Sequence, residues 1–157
     1  MGRIYSLTEL KIQIAVWRSG AKKIVFTNGC FDLLHRGHLE YLASAKTYGD
    51  ILVIGLNSDL SVRRLKGAGR PFTSEQDRAY ILAQLRMVDA VCIFGEDTPL
   101  QLISEILPDV LIKGGDYKIE EIVGRDVVER RGGKVITVPF IADRSTSILI
   151  EKIRNSK

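Results

Sequence analysis

The chain has 157 residues, 45% of them hydrophobic, enough for one domain that buries a core and carries a complete site. Its 23 lysines and arginines exceed its 19 acids only modestly and lie in short clusters such as Arg63, Arg64, Lys66 and Arg130, Arg131, which favours small anionic ligands over a nucleic-acid footprint. No apolar run of about 18 residues could span a bilayer, and the N-terminus lacks a signal peptide's apolar block, so a cytoplasmic protein with no membrane partner is expected.

In chain order, Ser6 with Glu9 three residues later forms a capping box, and Leu7, Leu10 and Ile14 follow at helical spacing until Gly20. This predicts a helix within residues 1–20, packed outside the main sheet. An apolar strand at 24–26 ends in Thr27-Asn28-Gly29 and leads to a helix over about 37–48. The alternation returns with a strand at 51–56 and a helix at 73–86, for which Thr73 and Gln76 offer a capping box. A strand at 90–94 precedes a helix from Thr98-Pro99 to about 107, with Gln101 completing another box. Strands at 110–112 and 135–138, a helix at 126–131 between them, and a last helix after Ser145 complete the pattern.

Continuous apolar strands alternating with helices imply a doubly wound, Rossmann-like α/β fold: a five-stranded parallel sheet with helices on both faces, in one domain over 1–157. Ligands then bind at the carboxyl ends of the strands. The segment 63–71, with Lys66-Gly67-Ala68-Gly69-Arg70, reads as a loop that is either a lid or plain surface. The two cysteines, Cys30 and Cys92, lack C-x-x-C spacing, which argues against a disulfide framework or a thiolate zinc site.

The only two histidines, His35 and His38, flank Gly37 just after the first strand, at the start of a helix. An anion is stabilised there, imidazoles can donate to phosphate oxygens, and a glycine permits close backbone approach. The plain alternative is a helix cap plus a packed imidazole. A metal site would need a third ligand that the spacing does not supply. The first loop, Asn28-Gly29-Cys30-Phe31-Asp32, lacks the G-x-G-x-x-G spacing of a dinucleotide fold, so hydride chemistry is unsupported.

Gly29-x-Phe31-Asp32 followed by His35-Arg36-Gly37-His38 resembles the GxFD and HxGH motifs of the cytidylyltransferase-like nucleotidyltransferases. Over residues 22–153 the stretches 55–59, 63–67, 70–71, 96–99, 113–117 and 145–146 further resemble the adenylyltransferase domain of bacterial heptose 1-phosphate enzymes. The resemblance implies transfer of AMP from ATP to D-glycero-β-D-manno-heptose 1-phosphate, giving ADP-heptose and pyrophosphate on the way to the lipopolysaccharide core. It implies a free-standing enzyme without a sugar kinase domain, which forms homo-oligomers, with magnesium inferred from triphosphate chemistry.

By the same resemblance His35, His38 and Lys66 are catalytic, although Lys66 also reads as an ordinary solvated lysine. Gly29, Cys30, Phe31, Gly37, Lys113, Gly114, Gly115, Arg144, Ser145, Thr146 and Ser147 bind the nucleotide. Asp32, Asn57 and Asp116 face the acceptor. Plainer readings stay open: a left-handed turn at 113–117, capping hydroxyls at 145–147, a helix-terminus carboxylate at Asp32, a packing role for Cys30, and helix pairing or a triphosphate contact for Arg78. The family's cytidylyltransferases carry a glycine in the C-terminal Ser/Thr motif that this chain lacks, which leans away from CTP and glycerol 3-phosphate. A nucleotide sensor without turnover is the competing class.

Overall fold

The computed structural model describes residues 1–115, 117–139, 146, 150, 151, 153 and 155. Its elements are β1 (Arg3–Ile4), α1 (Leu7–Ser19), β2 (Ile24–Gly29), α2 (Arg36–Lys46), β3 (Ile51–Asn57), α3 (Asp59–Lys66), α4 (Glu75–Ala83), β4 (Ala90–Phe94), α5 (Leu100–Ile106), β5 (Val110–Gly114), α6 (Arg125–Glu129) and β6 (Lys134–Val138), with a 3-10 turn at Ile119–Glu121. Among the described residues the sheet has six strands in the order β1-β4-β3-β2-β5-β6, and every pairing is parallel.

Successive strand residues point to opposite faces, and the side chains divide accordingly. Ile24, Phe26, Ile51 and Val53 meet Leu10 and Ile14 of α1, Leu102, Ile103 and Ile106 of α5, and Val128 of α6. Val25, Leu52, Ile54 and Leu56 meet Tyr41, Leu42 and Ala45 of α2 and Ala79, Leu82 and Ala83 of α4. Burial on both faces is why β3 is apolar from Ile51 to Leu56 with no polar interruption.

The Rossmann-like expectation therefore holds, with one strand more than expected. The extra strand, β1, lies at the sheet edge, where the Gly2, Arg3 and Tyr5 amides donate to the Ala83, Asp89 and Val91 carbonyls at 2.9, 3.1 and 2.9 Å. Two residues are too few to show a period-2 pattern. The Ser6 and Glu9 capping box forms as expected. The other two boxes do not: α4 is capped by Ser74, whose hydroxyl accepts from the Asp77 amide, and α5 begins after Pro99 with no side-chain cap. Residues 63–66, expected in a loop, are the last turns of α3, which is capped by Ser58 and ends at Gly67. The expected final helix falls largely outside the described residues.

The strand order reverses between β2 and β5, the place where an open α/β sheet forms its ligand crevice. The pairing there is short. β2 pairs with β3 along six residues, but with β5 only at Val25–Val110 and Phe26–Leu111. Beyond Phe26 side chains bridge the gap: the Tyr41 hydroxyl lies 2.6 Å from Thr27 Oγ1 and donates to the Ile112 carbonyl at 3.2 Å, and Lys113 Nζ donates to Asn28 Oδ1 at 2.8 Å.

Candidate active site

A cleft of about 610 Å³ opens at this fork, on the carboxyl ends of the strands. It brings together Gly29, Cys30, Phe31, Asp32, His38, Asn57, Lys66, Lys113, Gly114 and Thr146 from the sequence-derived set. His35 stands beside it, its ring 4.0 Å from that of His38. Asp116, Arg144, Ser145 and Ser147 lie outside the described residues.

The histidines owe their place to the start of α2. His35 is the N-cap residue, with extended backbone, and makes no side-chain bond to the first turn, so the helix's leading amides are left without a cap from that side chain. Gly37 is buried in that turn and His38 follows it. Together they form a helix N-terminus suited to an anion, with an imidazole set into it. The His38 ring is held against Phe31, centroids 5.4 Å apart, and its Nδ1 is buried with no hydrogen-bond partner among the described residues. Burial, reinforced by the charge of His35, lowers the His38 pKa to about 4. The ligand-free imidazole is therefore neutral at physiological pH.

The loop before α2 is strained to make this possible. Phe31 has φ of 45°, unusual for a residue with a bulky side chain. A Cβ on Gly29 would stand 3.0 Å from the Phe31 ring, so a larger residue there would press that ring away from the end of β2.

Asp32, expected to face the acceptor, lines the cleft and is also held within the chain. It is buried, pairs with Arg70 Nε at 2.5 Å, and accepts from the Phe72 and Thr73 amides at 2.7 and 3.1 Å. It fastens the 67–73 segment over the loop that joins β2 to α2. Asn57 also lines the cleft, but its amide nitrogen donates to Ser61 Oγ at 2.9 Å.

Arg78 is the buried hub beneath the site. It donates to the Thr73, Cys30 and Asn57 carbonyls at 3.0, 2.5 and 2.9 Å and to Asp59 Oδ1 at 2.7 Å. It thus ties the ends of β2 and β3, the start of α3 and the 67–73 segment into one floor, which answers the choice between pairing and triphosphate contact in favour of pairing. Burial raises the Cys30 thiol pKa, with Lys66 and Arg78 pulling the other way, and this fits packing rather than reactivity.

Lys66 ends α3 at the cleft edge rather than standing on a loop. Lys113 stands at the end of β5 with Tyr117 nearby, its Nζ 6.0 Å from the ring, and burial lowers its pKa. Gly115, with φ of 105°, turns the chain after β5 and donates to the Val138 carbonyl at 2.9 Å. Thr146 Oγ1 donates to the Leu33 carbonyl at 3.4 Å. Thr27 and Tyr41 were missed in the sequence. The signal was a tyrosine on the buried face of α2, since a buried phenol requires a partner.

Among the described residues no three His, Cys, Asp or Glu side chains gather to hold a metal ion, and no helix is long and apolar enough to cross a membrane.

Residues 26–152 match the cytidylyltransferase-like family. The chain is 57% identical over 154 residues to the bifunctional protein HldE of Citrifermentans bemidjiense, covering 98% of this chain and 32% of that protein. It is 58% identical over 151 residues to HldE of Geobacter metallireducens, covering 96% and 31%. The chain thus spans about a third of the length of these relatives. Among solved structures, the lipopolysaccharide core biosynthesis protein from Thermoplasma volcanium superposes with a TM-score of 0.63 at 29% identity, covering 76% of this chain and 97% of that one. With the loop after β2, the histidine pair and the forked parallel sheet in place, the chain belongs to the cytidylyltransferase-like family.

Proposed function

We propose that the chain is an adenylyltransferase that transfers AMP from ATP to D-glycero-β-D-manno-heptose 1-phosphate, releasing pyrophosphate. The observation that carries the chemistry is the imidazole pair at the N-terminus of α2, set at the cleft where the strand order reverses. The acceptor is supported by the likeness to HldE proteins and to a lipopolysaccharide core biosynthesis protein.

In this reaction an acceptor phosphate oxygen forms a bond to the α-phosphorus of ATP while the bond to the bridging oxygen of the pyrophosphate breaks. The nucleophile is already an anion, so no base is required. The protein's work is to hold the reactants in line and to stabilise charge moving onto the leaving group. His35, His38 and the first amides of α2 take the β- and γ-phosphates. Lys66 follows the migrating charge from the cleft edge, and a flexible ammonium suits that task. Gly29, Cys30 and Phe31 present backbone to the triphosphate, and Lys113 with Gly114 and Gly115 closes the nucleotide side. By the sequence resemblance, Arg144, Ser145, Thr146 and Ser147 also serve the nucleotide and Asp116 serves the acceptor. Asn57 is close enough to border the acceptor, while Asp32 acts through the 67–73 segment. Magnesium, which triphosphate chemistry implies, would offset charge on the phosphate oxygens when bound.

The test is pyrophosphate release from magnesium and ATP with the heptose phosphate, run beside CTP and beside glycerol 3-phosphate. Release that requires ATP and the heptose phosphate is the expected result. Release with a different pair would keep the chemistry and replace the substrates. Nucleotide binding without release from any pair would overturn the reading in favour of a sensor.

A further inference from the structure

A second concave site lies at the opposite pole of the sheet. At the amino ends of β2, β5 and β6 a groove of about 510 Å³ is framed by the ends of α1 and α5 and the turn after α6. The length of the strands sets it about 17–20 Å from the cleft.

Arg18, Lys22, Lys23, Arg131 and Lys134 all border this groove, against one carboxylate, Asp109. That carboxylate is turned inward, accepting from the Ile24 amide at 2.7 Å. Arg18 donates to the carbonyls of Ile106 and Leu107 at the end of α5, so the negative end of that helix accounts for it. A helix end carries only about half a charge, so it does not offset the other four cations. None of Lys22, Lys23, Arg131 or Lys134 forms an ion pair with a described carboxylate. Burial lowers the Arg18 pKa, and the charge of Arg131 adds to this against the pull of Asp109.

Ala21 and Leu107, with φ of 56° and 51°, end α1 and α5 in left-handed conformation and turn the chain along the rim of the groove.

We propose that this groove binds a small anion bearing two or more phosphoryl groups, separately from the catalytic cleft. The guanidinium fork of Arg131, flanked by the ammoniums of Lys22, Lys23 and Lys134, matches several phosphate oxygens better than one monoanion. A protein partner fits less well, because the apolar lining is only Ala21, Leu107 and Pro108, without the aromatic anchors of an interface. The proposal stands whether or not the assigned reaction is correct.

The test is titration of the ¹⁵N-labelled full chain with inorganic pyrophosphate, and in parallel with ADP and inorganic phosphate, followed by amide NMR. Shifts at residues 21–23 and 131–134 are expected, with a midpoint distinct from that of residues 28–38. The Lys22→Glu/Arg131→Glu variant changes two exposed side chains outside the cleft. It should weaken binding at the groove by roughly tenfold or more, the equivalent of one charge-assisted hydrogen bond, and leave the 28–38 response unchanged. ADP that binds more tightly than pyrophosphate would identify a nucleotide, and equal affinity a bare diphosphate; both support the proposal. Overturning results are silence at 21–23 and 131–134 while the cleft saturates, phosphate binding as tightly as pyrophosphate, or sedimentation showing a dimer that buries the groove.

Discussion

His38 is neutral in the ligand-free fold, and this has consequences for stability and for rate. In an unfolded chain a histidine titrates near 6.5, whereas here burial and the His35 charge bring the value to about 4. Between those values the unfolded chain binds the extra proton and the folded one does not, so stability rises with pH across that window and falls on acidification. His38→Gln should flatten this slope, measured by urea unfolding at pH 4.5, 5.5 and 7 (roughly spanning the window); an unchanged slope would refute the burial argument. His38→Ala should lower kcat by about a hundredfold or more with the fold retained, since in the proposed reaction it removes stabilisation needed as charge moves onto pyrophosphate. Near-normal kcat in a folded variant would remove His38 from the chemistry. For Asp32 the geometry predicts a stability phenotype. Asp32→Asn leaves Arg70 unpaired and should cost about 3 kcal/mol in urea unfolding; a change confined to the KM of the acceptor would instead restore the substrate contact expected from sequence.

At the scale of elements, the difference between expectation and structure is mostly a matter of where caps fall. Ser74→Ala should destabilise by about 1 kcal/mol and Thr73→Ala by less, because the hydroxyl of Ser74 is the one that accepts the Asp77 amide. Equal effects in thermal melts would contradict that assignment. The central strands were legible because strands buried on both faces must be continuous apolar runs, as at 51–54. The histidine pair was legible because there are only two histidines and they fall together at a strand-to-helix turn. α3 was not: only Ser61 and Val62 of that helix are buried, and Arg63, Arg64 and Lys66 gave it the look of a surface loop. Nor was the role of Asp32, because its partner Arg70 is 38 positions away and only the folded chain brings them together.

At the scale of the whole molecule, β1 closes the β4 edge of the sheet with only two residues. Arg3→Pro removes the amide that donates to Asp89, whereas Arg3→Ala keeps it, so the proline variant should be the less stable by about 1 kcal/mol or more. It should also self-associate more in sedimentation, since a bared parallel strand offers an unpaired edge. Equal stability and equal monomer content would show that β1 is dispensable. The two poles of the sheet are also unlike: one carries the histidines in the fork between β2 and β5, the other a cluster of five cations beside one carboxylate.

The fork itself separates two jobs that a continuous ladder would merge. Up to Phe26 backbone bonds fix the sheet, and past it the spacing of the strands is set by Tyr41, Asn28 and Lys113. Side-chain bridges can trade one oxygen for another without unravelling a strand. Descendants of this chain can therefore regauge the mouth for a wider or narrower guest by exchanging those residues, leaving the scaffold that holds the sheet untouched.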